Sequence, residues 1–126
     1  MGLVLIAVWY LSQPLTVPAS FVYGVTFSVP YARDDLDLDW KKAYLAVLDD
    51  LKVRHLRIPA YWTELEKEKG KYNFENLDFM VREAGQRDAQ VILAVGEKLP
   101  RWPECHIPEW ASQESREDRH RDLLTL

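Results

Sequence analysis

Residues 90–96 (QVILAVG) are apolar with no polar residue alternating among them after the first. A half-solvated strand alternates, so this run predicts a parallel strand covered on both faces. Parallel strands need a crossover, most often a helix, between them. The chain supplies that helix: Leu77, Met80, Val81 and Ala84 recur at i, i+3, i+4 and i+7, and the pattern ends near residues 85–88. Residues 53–59 (VRHLRIP) form the strand before it. Further upstream, Asp39 is an N-cap for a helix whose apolar residues Trp40, Tyr44, Val47, Leu48 and Leu51 share one face. Asp49 and Asp50 sit at the wrong end of that helix, where the dipole prefers cations. Residues 21–28 (FVYGVTFS) are β-branched and aromatic around Gly24 and predict the first strand, followed by a loop at 29–38 with acidic Asp34, Asp35 and Asp37. Strand, helix, strand, helix, strand is the βαβαβ order of a parallel α/β sheet.

The second strand opens onto the most informative stretch, residues 56–74 (LRIPAYWTELEKEKGKYNF). Leu56 and Ile58 share the face that packs on helices, and Arg57 points the other way. A guanidinium on the inner face of a strand calls for a planar anion or several acceptors beside it. Pro59 has no N–H, so pairing is expected to stop there. Tyr61 and Trp62 then emerge where a ligand can stack. Residues 67–71 (KEKGK) make a charged turn before Tyr72 and Phe74.

The 126 residues carry 16 Lys and Arg against 20 Asp and Glu, a net charge of −4 that gives a phosphate backbone no electrostatic footprint. No nucleic-acid partner is expected. None of these charges precedes Arg33. Residues 3–11 (LVLIAVWYL) are too short for the roughly 20 residues that cross a bilayer, but match the core of a signal peptide. Val17-Pro18-Ala19 would serve for cleavage, although a basic leading region is missing. Residues 1–20 are therefore read as a signal peptide or signal-anchor remnant plus a proline-containing linker, with a buried first strand as the other reading. Export, or membrane anchoring through residues 3–11, is the expected destination. Cys105 is the one cysteine, so no disulfide forms within the chain.

After the third strand, residues 97–110 (EKLPRWPECHIPEW) hold three prolines and two tryptophans and predict a loop on a ligand-facing surface. Residues 112–126 read as a third helix, polar through Asp122. The chain has no internal repeat and no low-complexity tract.

Taken together, Gly24-Val25-Thr26-Phe27-Ser28, Leu56-Arg57-Ile58-Pro59-Ala60-Tyr61-Trp62, Gly70-Lys71-Tyr72-Asn73-Phe74, residues 91–96 and residues 100–110 resemble the N-terminal part of a (β/α)₈-barrel glycoside hydrolase. The family is the broad clan of retaining enzymes that includes cellulase-like and β-galactosidase-like members, and the resemblance covers residues 21–110. It implies an incomplete TIM barrel of about three βα units over residues 21–126. It also implies hydrolysis of O-glycosyl bonds and a carbohydrate substrate, with no cofactor. In that clan the acid/base is the Glu of an Asn-Glu pair after the fourth strand, and the nucleophile is a Glu at the end of the seventh. No Asn-Glu pair occurs here, so no catalytic residue is assigned, and the chain is read as a truncated, inactive part of the enzyme. A non-catalytic α/β carbohydrate-binding or interaction module is the alternative.

The resemblance matches Arg57 to the clan's second-strand arginine, which hydrogen-bonds near the nucleophile and helps keep it ionised. Trp62, Trp102 and Trp110 are candidates to stack on sugar rings, against a packing role. Glu97, directly after the third strand, and His106 are candidate partners of sugar hydroxyls. Glu64 and Glu66 lie in a charged loop where capping or solvated roles are commoner than catalysis. Glu104-Cys105-His106 with Glu109 supplies neither the ligand spacing of a zinc site nor the geometry of a Cys–His nucleophile, and no metal is expected.

Overall fold

A computed structural model describes residues 21–99 and 104–126. Residues 3–11, the linker that follows them, and Trp102 lie outside the described residues. The elements are β1 (Val25–Thr26), a five-residue π-helix (Tyr31–Asp35), α1 (Trp40–Asp49), β2 (His55–Tyr61), α2 (Trp62–Leu65), α3 (Glu75–Gly85), β3 (Gln90–Gly96), α4 (Glu109–Ser112) and α5 (Arg116–Leu123). The three strands form one parallel sheet in the order β1-β2-β3. Helices α1 and α3 make the two crossovers, as the apolar periodicity predicts.

Three expectations about the strands change. The first strand shortens to two residues because Val25 is already level with Leu56 near the start of β2, so residues 21–23 run past the end of their partner. Gly24 lies so close to that end that a Cβ would sit 2.8 Å from the His55 carbonyl oxygen. Pairing does not stop at Pro59, which aligns with Ala94, and the ladder runs on to Tyr61 and Gly96. The reason is parity. The Arg57 carbonyl accepts from Phe27 on the β1 side and the Arg54 carbonyl accepts from Gln90 on the β3 side. Odd-numbered residues of β2 therefore turn their backbone groups to β1, which has ended before Pro59, and the missing N–H costs the β3 ladder nothing. Third, β3 is parallel but not covered on both faces: Ile92 is 68% exposed, Leu93 45% and Val95 56%. The predicted loop at 29–38 also contains the π-helix, closed by the Leu36 N–H on the Tyr31 carbonyl.

The core lies between the sheet and α1 and α3. Leu56 and Ile58 are buried against Tyr44 and Leu48 of α1 and Met80 and Ala84 of α3. Each large aliphatic side chain so enclosed contributes about 1.5–3 kcal/mol. Tyr44 crosses the layer, its ring edge-on to Phe27 at 5.0 Å and its hydroxyl donating to the Met80 carbonyl at 2.8 Å. Burial, followed by the charge of Glu83, pushes this phenol up to about 12, so the hydroxyl remains a donor.

The ends of α1 are set by charge. Asp39 caps the start, accepting the Lys42 N–H at 3.2 Å. At the other end Asp49 does not stand against the dipole alone, because Arg87 binds its carboxylate through Nε (2.6 Å) and Nη2 (2.8 Å). The same guanidinium reaches Glu83 at 2.9 Å, tying α1 to the end of α3. These bonds hold Asp39 and Asp49 below the usual carboxylate range, Asp39 chiefly through the Lys42 N–H and Asp49 chiefly through Arg87. A depressed folded-state pKa means that the unfolded chain binds the proton more tightly. The stabilisation is then present above the unfolded carboxylate value of about 4 and is lost as pH falls through the lower folded values. Thermal melts of Arg87→Met and the parent should therefore differ at pH 6 and converge as the pH falls below the ordinary carboxylate range. A difference that persists unchanged in acid contradicts this assignment.

Candidate active-site wall

Register decides which side chains share the inner face of the sheet. Thr26, Arg57 and Ile92 align across the three strands, and Pro59 and Ala94 form the layer above them. Arg57 donates from Nε to Thr26 Oγ1 at 3.0 Å, and its side chain is exposed. Among the described residues no carboxylate pairs with it. Beneath it, at the amino-terminal end of the strands, an open depression of about 340 Å³ runs between Gly24, Thr26, His55, Gln90 and Ile92.

Tyr61, the last residue of β2, is buried and donates to Ser28 Oγ at 3.0 Å. The His106 ring is tilted against the Tyr61 ring, with centroids 4.1 Å apart. The His106 N–H donates to the Glu97 carbonyl at 3.0 Å, and a bridge between Lys98 and Cys105 closes the base of the loop. The Glu97 carboxylate faces Arg119 of α5 at 3.5 Å. Glu97 and His106, separate in sequence reasoning, thus meet at one strand end beside Tyr61.

Trp62 does not meet its expectation. It is 0% exposed and offers no face to a ligand. Its Nε1 donates to Glu66 Oε2 at 2.7 Å, and its ring meets Trp110 edge-on with centroids 5.4 Å apart. Trp110 in turn donates to the Glu66 carbonyl at 2.9 Å and lies under Lys69, whose Nζ is 5.1 Å from the ring centre. Lys69 also pairs with Glu114 at 2.8 Å and Asp122 at 2.7 Å, and its ammonium is pushed above its ordinary value by these hydrogen bonds, Asp122 first. Trp62 and Trp110 are packing and anchoring residues, and through Lys69 they tie α4 to α5.

Glu66 is the residue that sequence reasoning undervalued. It lies in the charged loop, yet it is 3% exposed, and its second oxygen accepts the Gly70 N–H at 2.6 Å. A signal was present: Glu66 stands four residues after Trp62 and four before Gly70, the spacing at which one carboxylate can bridge a helix end and a glycine turn. Glu64 instead faces Arg33 at 3.3 Å. Among the described residues no group of three or more His, Cys, Asp or Glu is placed to hold a metal ion, and no helix is long and apolar enough to cross a membrane.

The family model for β-galactosidases of glycoside hydrolase family 42 matches residues 36–123, a span that runs from the end of the π-helix through α5. The chain belongs to glycoside hydrolase family 42. Among solved structures, the exo-β-1,4-mannosidase Op5Man5 from Opitutaceae bacterium strain TAV5 superposes with a TM-score of 0.51 at 16% identity over 72% of this chain. That likeness concerns the fold, and the chain spans 16% of the mannosidase's length. No curated protein sequence matches the chain. The family 42 assignment identifies the three parallel strands and their helices as part of a (β/α)₈ barrel. Glycosidase barrels work at the carboxyl ends of their strands, where Tyr61, Glu97 and His106 stand here.

Proposed function

We propose that this chain forms the substrate-side wall of a retaining glycoside hydrolase acting on O-glycosyl bonds of β-galactosides. The observation that carries the reading is the family 42 match across residues 36–123, which encloses Arg57, Glu97, Trp102 and His106 together. On this reading Glu97 and His106 hydrogen-bond sugar hydroxyls and Trp102 stacks on a ring. Arg57 is a positioning residue: its open guanidinium holds a catalytic carboxylate ionised from the inner face of the second strand. Retaining hydrolysis needs two carboxyl groups about 5–5.5 Å apart, one as nucleophile and one as acid then base. Glu66 is enclosed by Trp62 and Gly70, and Glu64 faces Arg33, so neither is assigned to that pair. Export, with or without anchoring through residues 3–11, belongs to the same proposal and rests on the apolar run there.

The purified chain is expected to give no turnover of aryl β-galactosides. A chimera in which residues 36–123 replace the matching segment of an active family 42 β-galactosidase is expected to hydrolyse them. In that chimera Arg57→Met should lower kcat by about 100-fold, the scale for losing one preorganised charge contact. Full kcat in the Arg57→Met chimera would remove the assigned role, and turnover by the chain alone would overturn the reading of it as a wall.

A further inference from the structure

Resting on the role assigned to Arg57, we propose that Thr26 is its positioning residue: the threonine hydroxyl decides which edge of the guanidinium the inner face presents to a catalytic carboxylate. Thr26 lies outside the family match at residues 36–123, and the pairing of β1 with β2 brings it to the site. The two residues are direct partners in the register of parallel strands, about 4.8 Å apart, so their side chains leave the sheet on the same face. Beside them the Phe27 N–H donates to the Arg57 carbonyl at 3.1 Å and holds that register. Two residues earlier, a Cβ on Gly24 would stand 2.8 Å from the His55 carbonyl oxygen, so glycine is what lets β1 approach β2 this closely. Thr26 is β-branched, and its restricted χ1 keeps the hydroxyl in place once the backbone is set.

Arg57 Nε carries one hydrogen, and Thr26 Oγ1 accepts it at 3.0 Å. The guanidinium is planar, so this bond leaves the remaining hydrogens, on Nη1 and Nη2, as a fork of set direction. An unanchored arginine can offer a carboxylate either the edge that includes Nε or the edge between the two Nη atoms. With Nε taken, the Nη1–Nη2 edge is the one left for two parallel bonds. The acceptor is also neutral. A carboxylate at position 26 would anchor the fork equally well but cancel its charge, whereas a hydroxyl leaves the full positive charge to hold a catalytic carboxylate ionised.

The full 126-residue chain gives the first test. In nitrogen–proton NMR spectra the Arg57 Nε–H is expected to exchange with water about tenfold faster in Thr26→Val than in the parent, the factor for losing one hydrogen bond to a charged group. Thr26→Ser should restore the parent rate. The second test uses the β-galactosidase chimera, extended to begin at residue 21 so that it carries β1. There Arg57→Met should move the acid limb of the kcat/KM profile up by about one pH unit, because the catalytic carboxylate loses its cation. Thr26→Val, which keeps the branched shape and removes the acceptor, should move the limb up by about half as much and lower kcat about tenfold. Thr26→Ser should return both. A limb that stays in place in Thr26→Val but moves in Arg57→Met overturns the positioning role of Thr26 and leaves the reading of Arg57 standing. A limb that stays in place in Arg57→Met overturns that reading and, with it, the role of Thr26. Unchanged Nε–H exchange in Thr26→Val overturns the role of Thr26 whether or not the chimera is active.

Discussion

Replacing Trp62 with alanine should lower the unfolding free energy by about 3–5 kcal/mol, the range for removing a fully enclosed aromatic. The loss has three sources. The indole is wholly buried, it supports Trp110 edge-on, and its Nε1 donates to the buried carboxylate of Glu66. Alanine removes the donor and leaves Glu66 with the Gly70 N–H as its one remaining side-chain partner. Because Trp110 lies in α4, the damage should spread into the segment after β3. Amide exchange at Trp110 and Ala111 is expected to accelerate more than at Leu48, which lies in the core between α1 and the sheet. A denaturant midpoint equal to that of the parent, with Trp110 protection unchanged, would contradict the account of this pair as the anchor of α4.

Glu66→Ala is expected to cost about 1–3 kcal/mol, since it strands one buried donor and releases a second, half-exposed one. The buried donor is Trp62 Nε1, and the half-exposed one is the Gly70 N–H. Glu66→Gln keeps one carbonyl oxygen and should recover roughly half of that loss, because only one of the two donors finds an acceptor. A Trp62→Phe, Glu66→Ala double-mutant cycle separates the hydrogen bond from the packing. The two changes share one contact, so their effects should fall short of additive. Strict additivity would mean that the Trp62–Glu66 bond contributes nothing.

The order of elements was legible because periodicity is a local property. Leu77, Met80, Val81 and Ala84 cover one face of α3 whatever the helix packs on, and Asp39 caps α1 through a bond to Lys42 three residues away. Residues 90–96 are a short, mostly apolar run rich in β-branched residues, and they form β3. Arg57 could be placed on the inner face because side chains alternate along β2, and Thr26 lies beside it in the register the structure shows. The family resemblance drawn from these segments agrees with the family 42 match.

Expectations failed where the deciding partner lay far along the chain. Pro59 reads as the end of a strand, but its missing N–H points to a neighbour that has already stopped, a fact held by the register of β1 on β2. Trp62 after a strand end reads as an exposed platform, and it is Trp110 and Glu66 that enclose it. Asp49 reads as a helix-end penalty until Arg87, 38 residues on, takes its charge. Propensity, capping and alternation depend on neighbours within about one helical turn or one strand pleat, and those the chain spells out directly. Burial, ion pairing and the fate of a free backbone group depend on which segments meet across the sheet, and only the folded arrangement decides them.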